Sequence, residues 1–312
     1  MTFSIFWFAD GAGTDDEAPR AMVRWIRTQT SRRLIVYGGD VYKRGTDEQF
    51  AMFYEEMDRD VSDTCALSGN HDWKTASADP HPDQIPLGFE RFWRQFPPGQ
   101  SQQPIDSTKR GGARYEHIKD IDGWRLVFVD TGPCNHEEWP VGDPGRATWL
   151  RDSLTSVPGR AKIVFAHHSR LSRGKHGDNP TVSALWNCLF DEHTAAPLAA
   201  LAIAGHDHNV TWYDARPREN PEREAVAPDR GIFVHVNGAG GHGHDEASGP
   251  FTGFFQPISG TKPDFKDDDN WCVTRIDLLT PTTAEVSILS FGADKPPRVS
   301  EPTVLKSFML KV

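Results

Sequence analysis

Several short apolar runs along the chain stop abruptly at Gly, Asp, Asn or His: Ser4 to Asp10 (SIFWFAD), Leu34 to Asp40, Thr64 to Asn70, Arg125 to Gly132, Lys162 to His168, Leu201 to His208 and Ile232 to Gly240. Runs of this length without polar interruption read as strands buried on both faces, with polar residues placed just past their C-terminal ends. Between them, helical spacing and good helix formers predict helices over Glu17 to Thr30, Asp47 to Asp60, Gly88 to Phe96, Arg146 to Ser156 and Thr181 to Leu189. The alternation predicts βαβ units, a largely covered sheet and an α/β class. Further on, Trp271 to Leu278 and Thr283 to Phe291 alternate with period two and are rich in β-branched residues. They predict antiparallel strands, with the stretch from about 271 to 312 completing a second sheet. Pro and Gly thicken in Asp79 to Gly112 and Ala215 to Gly231, which read as long surface loops because strands resume after each. The expectation is one domain over 1–312, built of two packed mixed sheets flanked by helices.

Composition supports a folded core: 312 residues carry 10 Trp and 18 Phe. A formal charge of −10 argues against nonspecific binding to nucleic acid or an anionic membrane, and leaves room for a local basic pocket that takes a small anion. No run of 18 apolar residues occurs, and MTFSIFWFAD lacks the basic start of a secretory signal, so a cytoplasmic location is expected. Cys65, Cys134, Cys188 and Cys272 are scattered without a CxxC pair, the pattern of reduced thiols.

The strand ends carry the chemistry: Asp10, Asp40, Asn70 with His71 and Asp72, His167 with His168, and His206 with His208. In a covered sheet, ligands bind in the crevice beyond the carboxyl ends of the strands, so these groups are expected to converge. Taken singly, an Asp after a strand is an N-cap or turn residue and a His is a satisfied core or surface group. Together, carboxylate, amide oxygen and imidazole donors suit Mn, Fe, Zn or Co. One zinc takes three or four protein ligands, so six or more donors imply two ions sharing a carboxylate.

The blocks Asp10, Gly39-Asp40, Gly69-Asn70-His71-Asp72, His167 and Gly205-His206-Asp207-His208 resemble those of the calcineurin-like metallophosphoesterase superfamily, across most of the chain. His176-Gly177, nine residues after His167, and Val236 to Gly240 look like the purple acid phosphatase branch. The resemblance implies a four-layer α/β sandwich and a dinuclear centre of Fe, Mn or Zn. By that likeness Asp40 bridges the ions, Asp10 and His208 hold the first, and Asn70, His167 and His206 the second. It also implies that a metal-bound hydroxide attacks phosphorus, that His71, oriented by Asp72, assists the leaving group, and that His176 holds the phosphate or assists from the opposite rim. Asn70, His71, His176 and Lys43 are the expected substrate contacts.

Two departures bear on the first ion. Ala12 stands where most of the superfamily has His, and Lys43 replaces the Tyr that colours the purple enzymes. The first ion is therefore expected to bind weakly with an extra water, to be replaced by the Lys43 ammonium, or to be completed by Tyr42, Asp15 or Asp16. No purple colour is expected. His168 reads as packing beside His167, with catalysis the lesser option, and His235, His242 and His244 as part of a His-rich rim loop that is solvated, or ligates or gates the metals. The leading expectation is hydrolysis of a small phosphate monoester. The alternatives are a phosphodiesterase or pyrophosphatase acting on a nucleotide-like substrate, and a phosphate-binding module with weakened turnover.

Overall fold

A computed structural model describes residues 2–11, 17–29, 32–40, 63–72, 116–131, 144–176, 180–194, 196–217, 232–241, 246, 255–257, 265–293 and 301–312. Every apolar run named above forms a strand. In chain order the first nine strands are β1 (Phe3–Phe8), β2 (Arg33–Tyr37), β3 (Thr64–Ala66), β4 (His117–Ile121), β5 (Trp124–Val129), β6 (Lys162–Ala166), β7 (Leu201–Ala204), β8 (Val210–Pro217) and β9 (Ile232–Asn237). Then come β10 (Phe255–Pro257), β11 (Phe265–Asp267), β12 (Cys272–Thr280), β13 (Thr283–Ser290) and β14 (Thr303–Lys311). The described helices are α1 (Glu17–Thr28), α2 (Pro144–Thr155) and α3 (Ser183–Asn187), the last entered through a 3-10 turn at Pro180–Val182. The helices expected over Asp47 to Asp60 and Gly88 to Phe96 lie outside the described residues, as do Cys134 and the loop from Asp79 to Gly112.

One sheet runs β14-β13-β12-β1-β2-β3 and the other β10-β8-β9-β7-β6-β5-β4, with β11 also on β8. Both are mixed: β1, β2 and β3 are parallel, as are β5, β6, β7 and β9. The C-terminal strands correct one expectation. Rather than completing a second sheet, β12 pairs antiparallel with β1, placing Phe3 opposite Leu278 and Trp7 opposite Thr274. β1 is apolar on both faces and would otherwise present an open edge, which β12 closes. Alternating hydrophobicity shows that a segment is a strand and says nothing about which edge it covers.

Between the sheets, Ile5, Trp7, Val36, Phe128, Phe165, Ile203 and Ile276 form one buried apolar cluster. Trp7 stacks on Phe165 at 5.7 Å between ring centres, and Phe165 on Phe128 at 4.9 Å. Outside the first sheet, Trp25 of α1 meets Phe6 edge-on, with Met22 and Ile26 buried beside it. Outside the second, Leu150 and Leu154 of α2 and Leu185 and Trp186 of α3 pack on Val127, Val129 and Val164. The result is the expected layering of helix, sheet, sheet and helix. Among the described residues, no helix is long and apolar enough to cross a membrane.

His235, expected on a rim loop, is instead buried on β9 inside this core. The His235 Nδ1–H donates to Thr211 O at 2.9 Å, and Nε2 accepts from Thr274 Oγ1 at 2.7 Å, tying β9 to β12 across the sheets. Complete burial holds its imidazole neutral, with the pKa pulled down to about 4. Because the folded value lies below the ordinary one, the unfolded chain binds the extra proton as pH falls, so this stability is full above about pH 6.5 and drains away toward pH 4. Urea unfolding at pH 7 and 4.5 is expected to show the stability gap between the parent and His235→Gln narrowing by about 2 kcal/mol. Parallel pH curves would contradict this.

Candidate metal centre

The parallel strands deliver their ends to one place. β1 runs on to Asp10, β2 to Gly39-Asp40, β3 to Asn70, β6 to His167 and β7 to Gly205-His206. Asp10 (φ 58°), Asp40 (φ 54°) and His206 (φ 72°) are left-handed, a conformation that costs about 1–3 kcal/mol each and persists where surroundings enforce it. The fourth such non-glycine among the described residues, Asp122, sits in the tight β4–β5 turn. The approach is close enough that a Cβ at Gly69 would overlap the Asp40 carboxylate, and one at Gly205 or Gly238 would come within 2.6 Å of Asp10 Oδ2.

Asp40 lies at the middle of the cluster. Its Oδ1 accepts from the His71 amide at 2.7 Å, while Oδ2 lies 3.4 Å from His167 Nε2 and 4.0 Å from His71 Nε2. Asp10 Oδ2 accepts from the His206 amide at 2.8 Å, leaving Oδ1, 3.8 Å from His208 Nε2, without a hydrogen bond. The His167 Nδ1–H donates to Gly38 O at 2.8 Å, which orients the ring with Nε2 toward the carboxylates. Donor atoms of Asp10, Asp40 and His167 lie within 4.8 Å of one another, and so do those of His167, His168 and His206. His71 is half-buried, and the exposed His176 stacks over His206 at 4.3 Å between ring centres.

Electrostatics make this a place short of positive charge. Burial, with the Asp40 charge close by, raises the Asp10 carboxyl well above its usual range against the pull of His167. Burial acts the same way on Asp40, but the His167 charge, joined by His71, overcomes it and holds that carboxyl low. Burial would lower His167, yet the two carboxylates raise it to about 10. His206 is held well below its normal value by burial and the imidazoles around it. Asp10 Oδ1, Asn70 Oδ1 and His167 Nε2 are buried without hydrogen-bond partners. Orphaned oxygen and imidazole lone pairs facing two carboxylates fit cations, which resolve both the repulsion and the unmet bonding.

The metal ligands expected from the sequence are thus placed at one crevice: Asp10, Asp40, His167 and His206 by mutual distance, His208 through Asp10, and Asn70 by its orphaned amide oxygen on the Asp40 turn. Asp72 Oδ2 accepts from the Asp40 and Gly69 amides at 2.8 and 2.7 Å, so this oxygen braces the turn that carries the ligands. Ala12, Asp15, Asp16, Tyr42, Lys43, His242 and His244 lie outside the described residues. Sequence reasoning gave no role to two groups. Thr131 Oγ1 accepts from the amides of His167 and His168 at 3.1 and 2.9 Å. Asp207 accepts from Ser172 Oγ and, at 2.8 Å, from the His176 amide, tying that rim residue to the His206 turn. His168, named at the strand end with His167 and read as packing, lies among the donors. Thr131 and Asp207 also follow strand ends, but their hydrogen-bonding partners arrive from other segments.

No curated protein matches the sequence significantly. The fold is similar to purple acid phosphatase PPD1 from yellow lupin (Lupinus luteus) seeds, with 14% identity, a TM-score of 0.63 and cover of 100% of this chain and 54% of that one. This chain therefore spans about half the length of the lupin protein. It is also similar to GAP50, described as the anchor in the inner membrane complex of Plasmodium, with 15% identity, a TM-score of 0.58 and cover of 100% and 89%. At these identities the likeness speaks for fold. The family model for calcineurin-like phosphoesterases matches residues 13–210, more than half of the chain. That span takes in the Asp40, Asn70, His167, His206 and His208 blocks that converge in the crevice, and the chain belongs to the calcineurin-like phosphoesterase family.

Proposed function

We propose that the chain hydrolyses small phosphate monoesters at this crevice with two metal ions. The observation that carries this reading is the pairing of buried donors with two accessible imidazoles at their rim: Asp10, Asp40 and His167 lie within 4.8 Å of one another, with His71 and His176 above them. Asp10, Asp40 and His208 would hold one ion, and Asp40, Asn70, His167 and His206 the other. When bound, the ions supply Lewis acidity toward the phosphoryl group and water of lowered pKa.

The chain's own residues do the rest. The His71 amide fixes Asp40 Oδ1, so its imidazole stands beside the Asp40 carboxylate, where it gives a proton to the departing ester oxygen. An imidazole can carry the proton the leaving group needs. His176, held by its amide to Asp207, donates a hydrogen bond to the phosphoryl oxygens from the other rim. Asp72 keeps the Asp40 and Gly69 amides aligned.

Hydrolysis of an aryl phosphate and its bis-aryl diester, with Mn, Fe or Zn supplied, tests the reading. Faster turnover of the monoester is expected, whereas preference for the diester would favour the phosphodiesterase alternative. Loss of all turnover with every metal would favour a phosphate-binding module. His71→Ala is expected to lower kcat about 100-fold or more for an alkyl phosphate and much less for a nitrophenyl ester, whose leaving group needs no proton. Equal losses on both would remove His71 from the acid role.

A further inference from the structure

We propose that His168 is an additional metal ligand, so that the His167–His206 end of the centre is an imidazole-rich ion site. Sequence reasoning assigned His168 to packing, and the family assignment does not bear on it. His168 is fully buried, and its Nε2 has no hydrogen-bond partner. One ring nitrogen of His168 shares with donor nitrogens of His167 and His206 a space in which all three lie within 4.8 Å. The ring centres stand 4.7 Å from His167 and 4.3 Å from His206, inclined at 89° and 56°. This is convergence on a point rather than a parallel stack.

The surroundings hold His168 in that pose. Its amide donates to Thr131 Oγ1 at 2.9 Å, its carbonyl accepts from Trp186 Nε1 at 3.3 Å, and Nδ1 lies 3.2 Å from the same Thr131 hydroxyl. A metal-binding histidine usually has its other ring nitrogen held by a hydrogen bond to an oxygen, and here Nδ1 lies beside the Thr131 hydroxyl while Nε2 has no partner. Packing alone explains the site poorly. A buried polar atom left unpaired costs about 1–3 kcal/mol, and an apolar ring of the same size would avoid that cost. A cation between the three nitrogens removes it. With three imidazoles, that end favours Zn or Co over Mg or Mn.

The proposal concerns the same site as the hydrolytic reading but is tested by metal binding alone. The chelator-stripped full chain and the variants His168→Phe and His168→Gln are titrated with Zn2+ and Co2+, following stoichiometry, affinity and the visible cobalt spectrum, with circular dichroism as the check on folding. His168→Phe keeps the ring volume, and His168→Gln provides a polar alternative if the first fails to fold. The expected result is that one ion of the wild-type pair weakens by at least the ~10–100-fold that loss of a metal's outer partners costs, with a changed cobalt spectrum. Unchanged affinity and spectrum in a folded variant would overturn the proposal. They would mean that the Thr131 hydroxyl donates to Nδ1 and that Nε2 carries the proton. A wild type that binds ions through His168 yet hydrolyses no phosphoester overturns the function and leaves this inference standing; an active enzyme with unaltered metal binding in the variants does the reverse.

Discussion

Asp40→Asn is expected to lower kcat/KM on a phosphate monoester by at least about 10^3-fold while leaving the fold intact. The carboxylate supplies the charge at the middle of the cluster, between His167 and His71. Lewis-acid stabilisation of the transition state is worth several kcal/mol, and each 1.4 kcal/mol is tenfold in rate. The fold survives because the asparagine carbonyl still accepts from the His71 amide, as Oδ1 does now at 2.7 Å. Because the His167 charge holds Asp40 low and Asp40 raises His167, the metal-stripped variant is expected to be less stable at pH 7 than the metal-stripped parent, by thermal unfolding. Turnover within about tenfold of the parent, at matched metal loading, would take Asp40 out of the bridging position.

Trp7→Ala is expected to destabilise the protein by about 3–5 kcal/mol, the usual cost of emptying a fully buried aromatic site. Trp7 is completely buried between the sheets, stacks on Phe165, and donates its Nε1–H to Asn237 O at 3.1 Å, so one residue links β1, β6 and β9. Removing it leaves a cavity and an unpaired carbonyl. The loss also reaches the site, because Gly38, whose carbonyl orients His167, packs directly against the indole. Metal affinity is therefore expected to fall together with stability. Chemical denaturation read beside a zinc titration checks both, and a loss under about 1 kcal/mol would mean that the inter-sheet core rearranges around the gap.

Much of this molecule was legible in its residue order because the informative signals are local. Continuous apolar runs give both-face-buried strands, and each run's last residue marks where a parallel strand leaves the sheet. Asp10, Asp40, Asn70, His167 and His206 could therefore be placed at one crevice without coordinates. The helix ends were less clear: α1 stops at Thr28, where the Thr28 hydroxyl donates to Trp25 O and competes with the next helical turn.

Other features depend on partners remote in the chain. The edge that β12 covers was set by the open side of β1, some 270 positions earlier, and period-two alternation carries no record of it. His168 looked like filler because the residue after a ligand points elsewhere along a strand; the chain turns at the end of β6, and Thr131 holds both imidazoles toward the same space. The roles of Asp72 and Asp207 likewise came from backbone amides that folding brings to them. Residue order alone determined the strands, their polar termini and the donor types, because each follows from neighbours along the chain. Three-dimensional packing decided the sheet order, the unpartnered nitrogen of His168 and the carboxylate braces, because burial and hydrogen bonding are satisfied across space.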